Sequence, residues 1–389
     1  MSKKSPRIFD FPPPEDGSCD ILIIAGEHSG DEQAARMVEA LNEINPDLNI
    51  CALGGVALKR RGVQLLYDMT KLSVVGLVEV LKNLSHFKAL LAGIAKWIET
   101  YKPRAICFVD YPGFNLHLAS VLKEKGLSRK GGGDIKLLYY ISPQIWAWKA
   151  RRRFKMAELL DSLAVIFPFE PQCYADTSLD VQFVGHPFIS GKFESKVFYD
   201  KSAPLLFMPG SREIAVGRIF PIMLKTLRLI EGEEAVVPYP SKKIFEVLQK
   251  TLKKFPDLEG RVRLRRIGDE GRIGAKAVLM SSGTISLSAC LEGIPGAIVY
   301  KANPLTYIAG RMLVSIKYLG IANILLARPA WPEFIQGAAD PRKIARRIKE
   351  CINCPEAAAQ AAADAKILRE KLTAKNDLNA AQWLLQNLR

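Results

Sequence analysis

The chain alternates short apolar runs with longer stretches in which apolar residues recur at helical spacing. Asp20 to Gly26 (DILIIAG) shows the first pattern, and residues 31–42 show the second. Short apolar runs bounded by glycine, proline or polar residues are typical of buried strands, and their alternation with helices is typical of parallel sheets covered on both faces. The sequence therefore predicts an α/β fold. Its further strands are expected within 105–110, 135–142, 163–170, 204–210, 234–239, 277–283 and 296–301.

The same pattern begins again after Gly185, which predicts two successive doubly wound, Rossmann-like domains. We expect a flexible N-terminal tail over 1–18, a first domain over 19–186, a second domain over 187–365 and a C-terminal helical tail over 366–389. Ligands of such folds bind at the carboxyl ends of the strands. The functional residues are therefore expected in those loops, in a cleft between the domains.

Composition and charge narrow the class of protein and its partners. The 389 residues carry 55 Lys and Arg against 40 Asp and Glu, a net charge of +15, which predicts an anionic partner: nucleic acid, an anionic membrane surface or phosphorylated substrates. Seven scattered cysteines do not suggest a disulfide framework. The polar, proline-rich N-terminus is unlike a signal peptide, and no apolar run of about 18 residues occurs. We therefore expect a cytoplasmic protein that touches a membrane at most peripherally.

Two loops of the first half combine a strand end with groups suited to chemistry. AGEHSGD contains glycines that allow close backbone approach to a ligand, while Ser29 or Asp31 is also a suitable cap for the next helix. In VDYPGFN, Asp110 ends an apolar strand directly before a Pro-Gly turn. A carboxylate there either accepts a proton from a substrate hydroxyl or caps the next helix, and the residues alone do not decide between the two.

Two loops of the second half are suited to phosphate. In FMPGSRE, free backbone N–H groups, a hydroxyl and a guanidinium converge at Gly210, Ser211 and Arg212. In SSGT, Ser282, Gly283 and Thr284 open a short helix whose N-terminus would attract a diphosphate. Capped turns without a ligand remain the alternative for both loops.

Several familiar motifs are absent from the sequence. There is no GxGxxG dinucleotide fingerprint, GxxxxGK[ST] loop, GxSxG elbow or DxD pair, and the four histidines lack metal-ligand spacing. No cofactor or metal is therefore predicted. A departing diphosphate would depend on helix dipoles and arginine.

Taken together, the motifs resemble the lipid-A-disaccharide synthase family of GT-B glycosyltransferases. The resemblance spans about residues 20–340. Its stretches, in family order, are AGEHSGD, LGG with RRG, SVVGLVEVL, VDYPGFNLHLA, YYISPQIWAWKARRRFK, FPFE, FVGHP, MPGSR, SSGT, NPLTY, NILL and PEFIQ. It implies a GT-B fold and transfer of 2,3-diacylglucosamine from UDP-2,3-diacylglucosamine to 2,3-diacylglucosamine 1-phosphate. The implied bond is β-1,6, formed with inversion and without metal at the cytoplasmic face of the inner membrane of Gram-negative bacteria.

The resemblance also implies roles for individual residues. Asp110 is the expected general base on the acceptor 6-hydroxyl. The donor UDP is expected to meet the two phosphate loops, with Ser288, Asn323 and Glu333 nearby. The cleft is expected to be bordered from the first domain by Gly26, Glu27, Ser29 and Asp31.

Acylated, phosphorylated substrates account for an unusual stretch, YYISPQIWAWKARRRF. The indoles of Trp146 and Trp148 suit a boundary between acyl chains and sugar headgroups. Arg151, Arg152 and Arg153 would attract the acceptor phosphate and anionic lipid. The segment 72–98 mixes apolar residues with lysines, which predicts either an interfacial amphipathic helix or a core-facing one.

The chain departs from the family pattern in ways that leave alternatives open. Ser288, Ala215 and Pro329 stand where the family usually has acidic residues; Glu292 lies four residues after Ser288. One alternative is therefore a family member with altered donor binding, or an impaired member that only binds membrane lipid. A UDP-sugar epimerase on the same fold is another, and a basic membrane- or nucleic-acid-binding protein is a third, although no nucleic-acid module is recognisable. Whether the chain forms a homodimer stays open.

Overall fold

The computed structural model describes residues 9–73, 84–189, 193–268, 271–303, 307, 316–373 and 378–389. The chain divides into two compact units. The first comprises Met1–Lys192 with Leu372–Arg389, and the second comprises Phe193–Lys371. Each unit is an α/β body built on its own parallel sheet.

The strands of the first unit are β1 (Ile21–Ala25), β2 (Ile50–Gly54), β3 (Gln64–Asp68), β4 (Ala105–Val109), β5 (Lys136–Tyr140), β6 (Ser162–Val165) and β7 (Asp180–Phe183). They form one sheet in the order β3-β2-β1-β4-β5-β6-β7, and all pairs are parallel. Every residue of β1 and β4 is buried. That is the expected environment of central strands covered by helices on both faces.

The helices of the first unit are α1 (His28–Ile44), α2 (Val56–Lys59), α3 (Thr70–Ser73), α4 (Leu84–Tyr101), α5 (Pro112–Glu124) and α6 (Arg152–Leu159), with 3-10 turns at Arg129–Gly131 and Pro171–Tyr174. Leu90, Ile94 and Ile98 follow helical spacing along α4 and are buried. They join the core formed with Phe108 and Phe114. No helix of the described residues is long and apolar enough to cross a membrane.

Residues 9–18 and 378–389 both pack on the first unit, whereas the sequence predicted a flexible tail over 1–18 and a separate helical tail over 366–389. Near the N-terminus, Trp97 Nε1 donates to the Pro12 carbonyl at 2.9 Å, and Phe11 is 9% exposed. At the C-terminus, Trp383 is fully buried and donates to Ser162 Oγ at 2.9 Å. Because Phe11 is buried near the N-terminus and Trp383 is buried near the C-terminus, residues 9–18 and 378–389 belong to this fold.

The second unit contains β8 (Val197–Tyr199), β9 (Leu205–Met208), β10 (Ala235–Tyr239), β11 (Val262–Arg266), β12 (Ile273–Ala275), β13 (Val278–Met280), β14 (Gly296–Tyr300) and β15 (Glu333–Ile335). Six of them form a parallel sheet in the order β11-β10-β9-β13-β14-β15, and β12 pairs with β8. The central strands β9 and β13 are entirely buried. Their carboxyl ends, Met208 and Met280, therefore lead into adjacent loops.

The helices that cover this sheet or follow it are α7 (Glu213–Arg228), α8 (Lys242–Leu252), α9 (Thr284–Leu291), α10 (Ile321–Leu326), α11 (Pro341–Asn353) and α12 (Pro355–Leu372). A last helix, α13 (Ala380–Leu388), returns to the first unit, and 3-10 turns lie at Pro256–Leu258 and Gln336–Ala338. The core of the second unit lies between the sheet and helices α7, α8 and α11, where Phe220, Leu248 and Ile348 are buried. Both units thus have the doubly wound, Rossmann-like architecture predicted from the sequence.

Candidate active site

In the first unit, two predicted loops meet at the carboxyl ends of adjacent strands β1 and β4. Asp110 and Tyr111 follow β4 with φ angles of 48° and 50°, a left-handed conformation that is rare outside glycine. A Cβ on Gly26, the residue after β1, would lie 2.2 Å from Cδ1 of the Tyr111 ring. Glycine at position 26 is therefore required by the tyrosine ring that occupies the space of a side chain.

Asp110 has the electrostatic character of a general base. Burial and, second, the neighbouring Glu27 carboxylate raise the pKa of the Asp110 carboxyl to about 6. A base with a pKa just below the working pH is ionised yet still takes up a proton readily. The structure therefore gives Asp110 the environment that the predicted role requires, and it brings Glu27 to the same place.

Asp31 has a different role from the one expected for it. Its side chain is 2% exposed, and its carboxylate accepts hydrogen bonds from the N–H groups of Gly55 (2.7 Å), Ala57 (2.9 Å) and Leu58 (3.4 Å). It therefore caps α2, the helix that begins at Val56. The reason is spatial: β1 and β2 are neighbours, so the loop after β2 lies against the start of α1.

The start of α1 carries no side-chain cap among the described residues. Glu27 is the N-cap residue but its side chain makes no capping bond, and Ser29 lies exposed in the first turn. The expected capping by Ser29 or Asp31 is thus wrong for this helix. Unpaired N–H groups and a partial positive charge remain at this terminus, beside Asp110.

In the second unit, the two predicted phosphate loops lie side by side. The Ser281 N–H donates to the Met208 carbonyl at 2.8 Å, which joins the ends of β13 and β9. Gly210 has a φ of 112°, and a Cβ there would lie 3.2 Å from Ser281 Oγ. The loops carrying Gly210 and Ser281 are therefore in close contact, with the Ser281 side chain against Gly210.

Two helix N-termini open from these loops. Helix α7 starts after Arg212 and α9 starts after Gly283, and neither N-cap residue supplies a capping side chain. Ser211 and Arg212 are exposed, and Ser282 is half-buried; the Thr284 side chain lies outside the described residues. Two uncapped helix N-termini beside an exposed guanidinium form a site suited to an anion with more than one charged group.

Helix α9 offers no carboxylate to a ligand at its start. Ser288, in its second turn, is 6% exposed. Glu292, at the opposite end, is bound to Arg272 at 3.0 Å and to Arg369 at 2.9 Å. Glu292 therefore does not substitute for the glutamate that the family pattern places at 288.

Asn323 and Glu333 hold together the loop before α10. The Glu333 carboxylate accepts from the N–H groups of Leu319 (2.9 Å) and Gly320 (2.9 Å) and from Asn323 Nδ2 (2.8 Å). Asn323 is fully buried and also exchanges hydrogen bonds with the Trp331 backbone. Both residues thus have a structural role at the start of α10, and their expected place near the donor stays a prediction.

The two tryptophans of the WAW stretch have different environments. Trp146 is half-buried and packs edge-on against Phe167 and Phe169, at centroid distances of 6.4 and 5.5 Å. Trp148 is 43% exposed, with Lys149 Nζ 4.6 Å from its ring centroid. Only Trp148 has the exposure expected of an indole at a lipid boundary.

The arginines that follow also differ from one another. Arg153 forms a bidentate pair with Asp176, with two contacts of 2.6 Å, so its charge is already matched. Arg151 is exposed, and the Arg152 guanidinium lies 5.8 Å from the Trp148 ring centroid. Phe154 is also exposed, and the Arg153 guanidinium lies 4.3 Å from its ring centroid.

The predicted helical segment 72–98 is described only in part. Its residues 74–83 lie outside the described residues. From Leu84 onward the segment belongs to α4, and the apolar residues of this helix from Phe87 onward pack in the core. For this described part, the core-facing alternative holds.

Tyr111 is a site residue that the sequence analysis did not single out. Its ring stacks on Phe114 at a centroid distance of 6.0 Å and covers Gly26. The one local signal is the following Pro112, which disfavours the right-handed helical region for Tyr111. Nothing in the pattern indicates that the residue turns left-handed.

Solved structures show the class of fold to which these two units belong. UDP-GlcNAc 2-epimerase from Neisseria meningitidis, bound to UDP-GlcNAc, aligns with a TM-score of 0.59 at 11% identity, covering 95% of this chain and 99% of that one. The lipopolysaccharide outer core galactosyltransferase WaaB aligns with a TM-score of 0.50 at 12% identity, covering 95% and 98%. At this identity the likeness establishes the fold alone, which is that of the GT-B glycosyltransferases.

Sequence relatives narrow the assignment from fold to family. The family model for lipid-A-disaccharide synthetase matches residues 21–387. The lipid-A-disaccharide synthase of Syntrophus aciditrophicus is 34% identical over 90% of this chain and 93% of its own length, and that of Nitrosococcus oceani is 36% identical over 84% and 85%. The chain belongs to the lipid-A-disaccharide synthetase family and is a glycosyltransferase, as the motifs predicted.

Proposed function

We propose that this enzyme transfers 2,3-diacylglucosamine from UDP-2,3-diacylglucosamine to 2,3-diacylglucosamine 1-phosphate, forming the β-1,6-linked disaccharide 1-phosphate and UDP. Family membership supports the substrates. The observation that carries the chemistry is the Asp110 carboxyl, whose pKa of about 6 suits a base at neutral pH.

In the proposed reaction, Asp110 accepts the proton of the acceptor 6-hydroxyl while that oxygen attacks C1 of the donor sugar. The C1–O bond to UDP breaks from the opposite side, so the configuration at C1 inverts and UDP leaves with the bonding electrons. The acceptor oxygen becomes the new glycosidic oxygen. Glu27 keeps the Asp110 carboxyl ready to take up the proton by raising its pKa.

The second unit supplies the leaving-group site of this proposal. The diphosphate would meet the N-terminal ends of α7 and α9, whose loops adjoin through Gly210 and Ser281. Arg212 is exposed there and adds a full positive charge. Fixed N–H dipoles and a guanidinium stabilise the charge that develops on the departing UDP. Metal independence is part of the proposal and is inferred from the family resemblance.

We further propose that the protein works at the cytoplasmic face of the inner membrane through a basic aromatic surface. This surface comprises Trp148, Lys149, Arg151, Arg152 and Phe154. Exposed rings beside cations suit the headgroup region of an anionic bilayer. A double substitution of Arg151 and Arg152 by Ala is expected to reduce sedimentation with anionic vesicles.

A charge-matched control for that experiment is available in the second unit. Lys253 and Lys254 are exposed at the end of α8, so their double substitution by Ala removes the same charge elsewhere. Equal loss of vesicle binding in both double variants would refute a localised membrane surface and indicate a response to net charge alone.

One reaction tests the proposed function directly. Purified protein is incubated with both acylated substrates, with and without EDTA, and separately with UDP-GlcNAc alone. We expect the disaccharide 1-phosphate and UDP at the same rate with EDTA, and no sugar epimer from UDP-GlcNAc. Formation of an epimer without disaccharide would reject the synthase assignment in favour of an epimerase, and inhibition by EDTA would reject metal independence.

A further inference from the structure

The turn after β4 places two consecutive residues with side chains in the left-handed region. Asp110 and Tyr111 have φ angles of 48° and 50°. Residues other than glycine adopt this backbone conformation at an energetic cost, and such a turn persists only where surrounding contacts stabilise it. The contacts that hold this turn are therefore part of what places the Asp110 carboxylate.

Two buried side chains meet at the backbone carbonyl of Asp110. The Tyr139 hydroxyl donates to this oxygen at 2.6 Å, and Asn115 Nδ2 donates to it at 2.7 Å. Both residues are 0% exposed. The preceding peptide group still pairs with the sheet, because the Asp110 N–H donates to the Tyr140 carbonyl at 3.1 Å. The two side chains thus bind the first backbone carbonyl beyond the last hydrogen bond between β4 and β5.

We propose that Tyr139 and Asn115 are positioning residues, which hold the Asp110 carboxylate in its reactive orientation by fixing the peptide between Asp110 and Tyr111. The orientation of that peptide sets ψ of Asp110 and φ of Tyr111. Fixing its carbonyl therefore holds the left-handed turn from which the carboxylate projects. This inference rests on the proposed function, in which Asp110 is the base.

Removing one donor leaves the buried carbonyl only partly satisfied. The left-handed turn at Asp110 and Tyr111 is then held by one hydrogen bond fewer. If the backbone relaxes toward negative φ, the Asp110 carboxylate moves. Displacement of a catalytic group by about 1 Å lowers turnover by as much as about 100-fold. Relaxation also gives the carboxylate more water, so its pKa falls toward the ordinary range. Burial and the Glu27 carboxylate raise the pKa of the Asp110 carboxyl, and a backbone hydrogen bond from Tyr111 lowers it; Asp110 in turn raises the pKa of the Tyr139 hydroxyl.

The neighbouring Tyr140 provides a matched control. It is 4% exposed and one residue further along β5, so its side chain lies on the opposite face of the strand. Tyr139→Phe and Tyr140→Phe each remove one hydroxyl from a buried ring. Only the first removes a donor to the Asp110 carbonyl, so a general effect of losing a buried hydroxyl appears in both variants.

The experiment compares wild type, Tyr139→Phe, Tyr140→Phe and Asn115→Ala by two readouts. The first is kcat and KM for disaccharide formation between pH 5 and 8. The second is the carboxyl titration of Asp110, followed by NMR of protein carrying ¹³C-carboxyl aspartate and assigned with Asp110→Asn. For Tyr139→Phe we expect kcat to fall by about 10- to 100-fold with KM within twofold, and Asp110 to titrate at lower pH. Tyr140→Phe is expected to match wild type.

A wild-type kcat and an unmoved Asp110 titration in Tyr139→Phe would overturn the proposal. Equal losses in Tyr139→Phe and Tyr140→Phe, with the titration unmoved, would also overturn it, since that result indicates a structural role only. If Asn115→Ala does not fold, the tyrosine pair decides. If wild type makes no disaccharide but the titration still responds to Tyr139→Phe alone, the proposed function fails while the positioning role stands.

Discussion

Replacing Asp110 by Asn is expected to make the protein more stable while abolishing its activity. The Asp110 carboxyl is held where burial and Glu27 disfavour its ionised form. At neutral pH the folded protein nevertheless carries this charge. A neutral amide of the same shape removes the unfavourable charge, and it also removes the proposed base.

The magnitude follows from the pKa, which rises from an ordinary 3.8 to about 6. One pKa unit corresponds to about 1.4 kcal/mol, so the cost of ionisation at pH 7.5 is about 3 kcal/mol at most, and about 1.5–3 kcal/mol after allowing for solvent access. Because the folded state binds the proton more tightly than the unfolded state, wild type loses stability as pH rises from about 4 to about 6. The gain from Asp110→Asn should therefore be largest at pH 7.5 and about half as large at pH 5.

Urea unfolding at pH 5 and pH 7.5 measures this gain in stability. Because the chain has two units, which can unfold in separate transitions, the comparison uses the transition whose midpoint the variant shifts. The exposed Asp134, also in the first unit, is a control: Asp134→Asn is expected to change stability by less than about 0.5 kcal/mol. A variant no more stable than wild type at pH 7.5, or a gain independent of pH, would show that the Asp110 carboxylate is adequately solvated or paired. The argument for a tuned base would then be wrong.

Three further substitutions test the rest of the site. Arg212→Ala should weaken UDP binding by about 1.5–3 kcal/mol in calorimetry, whereas the exposed Arg218→Ala should not. If Arg212→Ala binds UDP with the affinity of wild type, Arg212 does not contact the donor. Gly26→Ala should abolish turnover because its Cβ meets a tyrosine ring at 2.2 Å, while Gly30→Ala, with 3.5 Å to the nearest atom, should be tolerated; the reverse order of activities would contradict the packing. Asp31→Asn should lower the free energy of unfolding by about 1–3 kcal/mol through its buried backbone partners, and an unchanged urea midpoint would count against that cap.

The fold was largely predictable because its main strands are continuous apolar runs. All eight runs singled out in the sequence contain a strand, as in β1, β4 and β9. Most strands without such a signal are short or at sheet edges; the interior strand Ile50–Gly54, which is fully buried, is an exception. The edge strand Gln64–Asp68 is mostly half-buried, and Ile273–Ala275 has three residues. Such strands are determined by their neighbours in space, which local periodicity does not record.

The candidate site was predictable as a set of loops but not as a set of roles. Parallel strands bring their carboxyl ends to one edge, so Gly26 with Asp110, and Gly210 with Ser281, were bound to meet. The sequence does not distinguish a carboxylate that faces a ligand from one that caps a distant helix. Asp31 and Glu333 both bind backbone N–H groups of segments far from them in the chain. Only the tertiary structure reveals those partners.

The two units solve the problem of a close approach in different ways, and the difference follows from the chemistry each loop has to supply. In the proposed function, the loop of the second unit binds phosphate through backbone N–H groups, and glycine stands at its strained position, Gly210 with φ 112°. The proposed base needs a side chain at the turn itself, so the first unit cannot use glycine at Asp110. It accepts a left-handed aspartate and surrounds its carbonyl with the buried donors of Tyr139 and Asn115. A strained residue held by buried side-chain donors is therefore informative: it indicates that the side chain at that position, and not merely the turn, is needed.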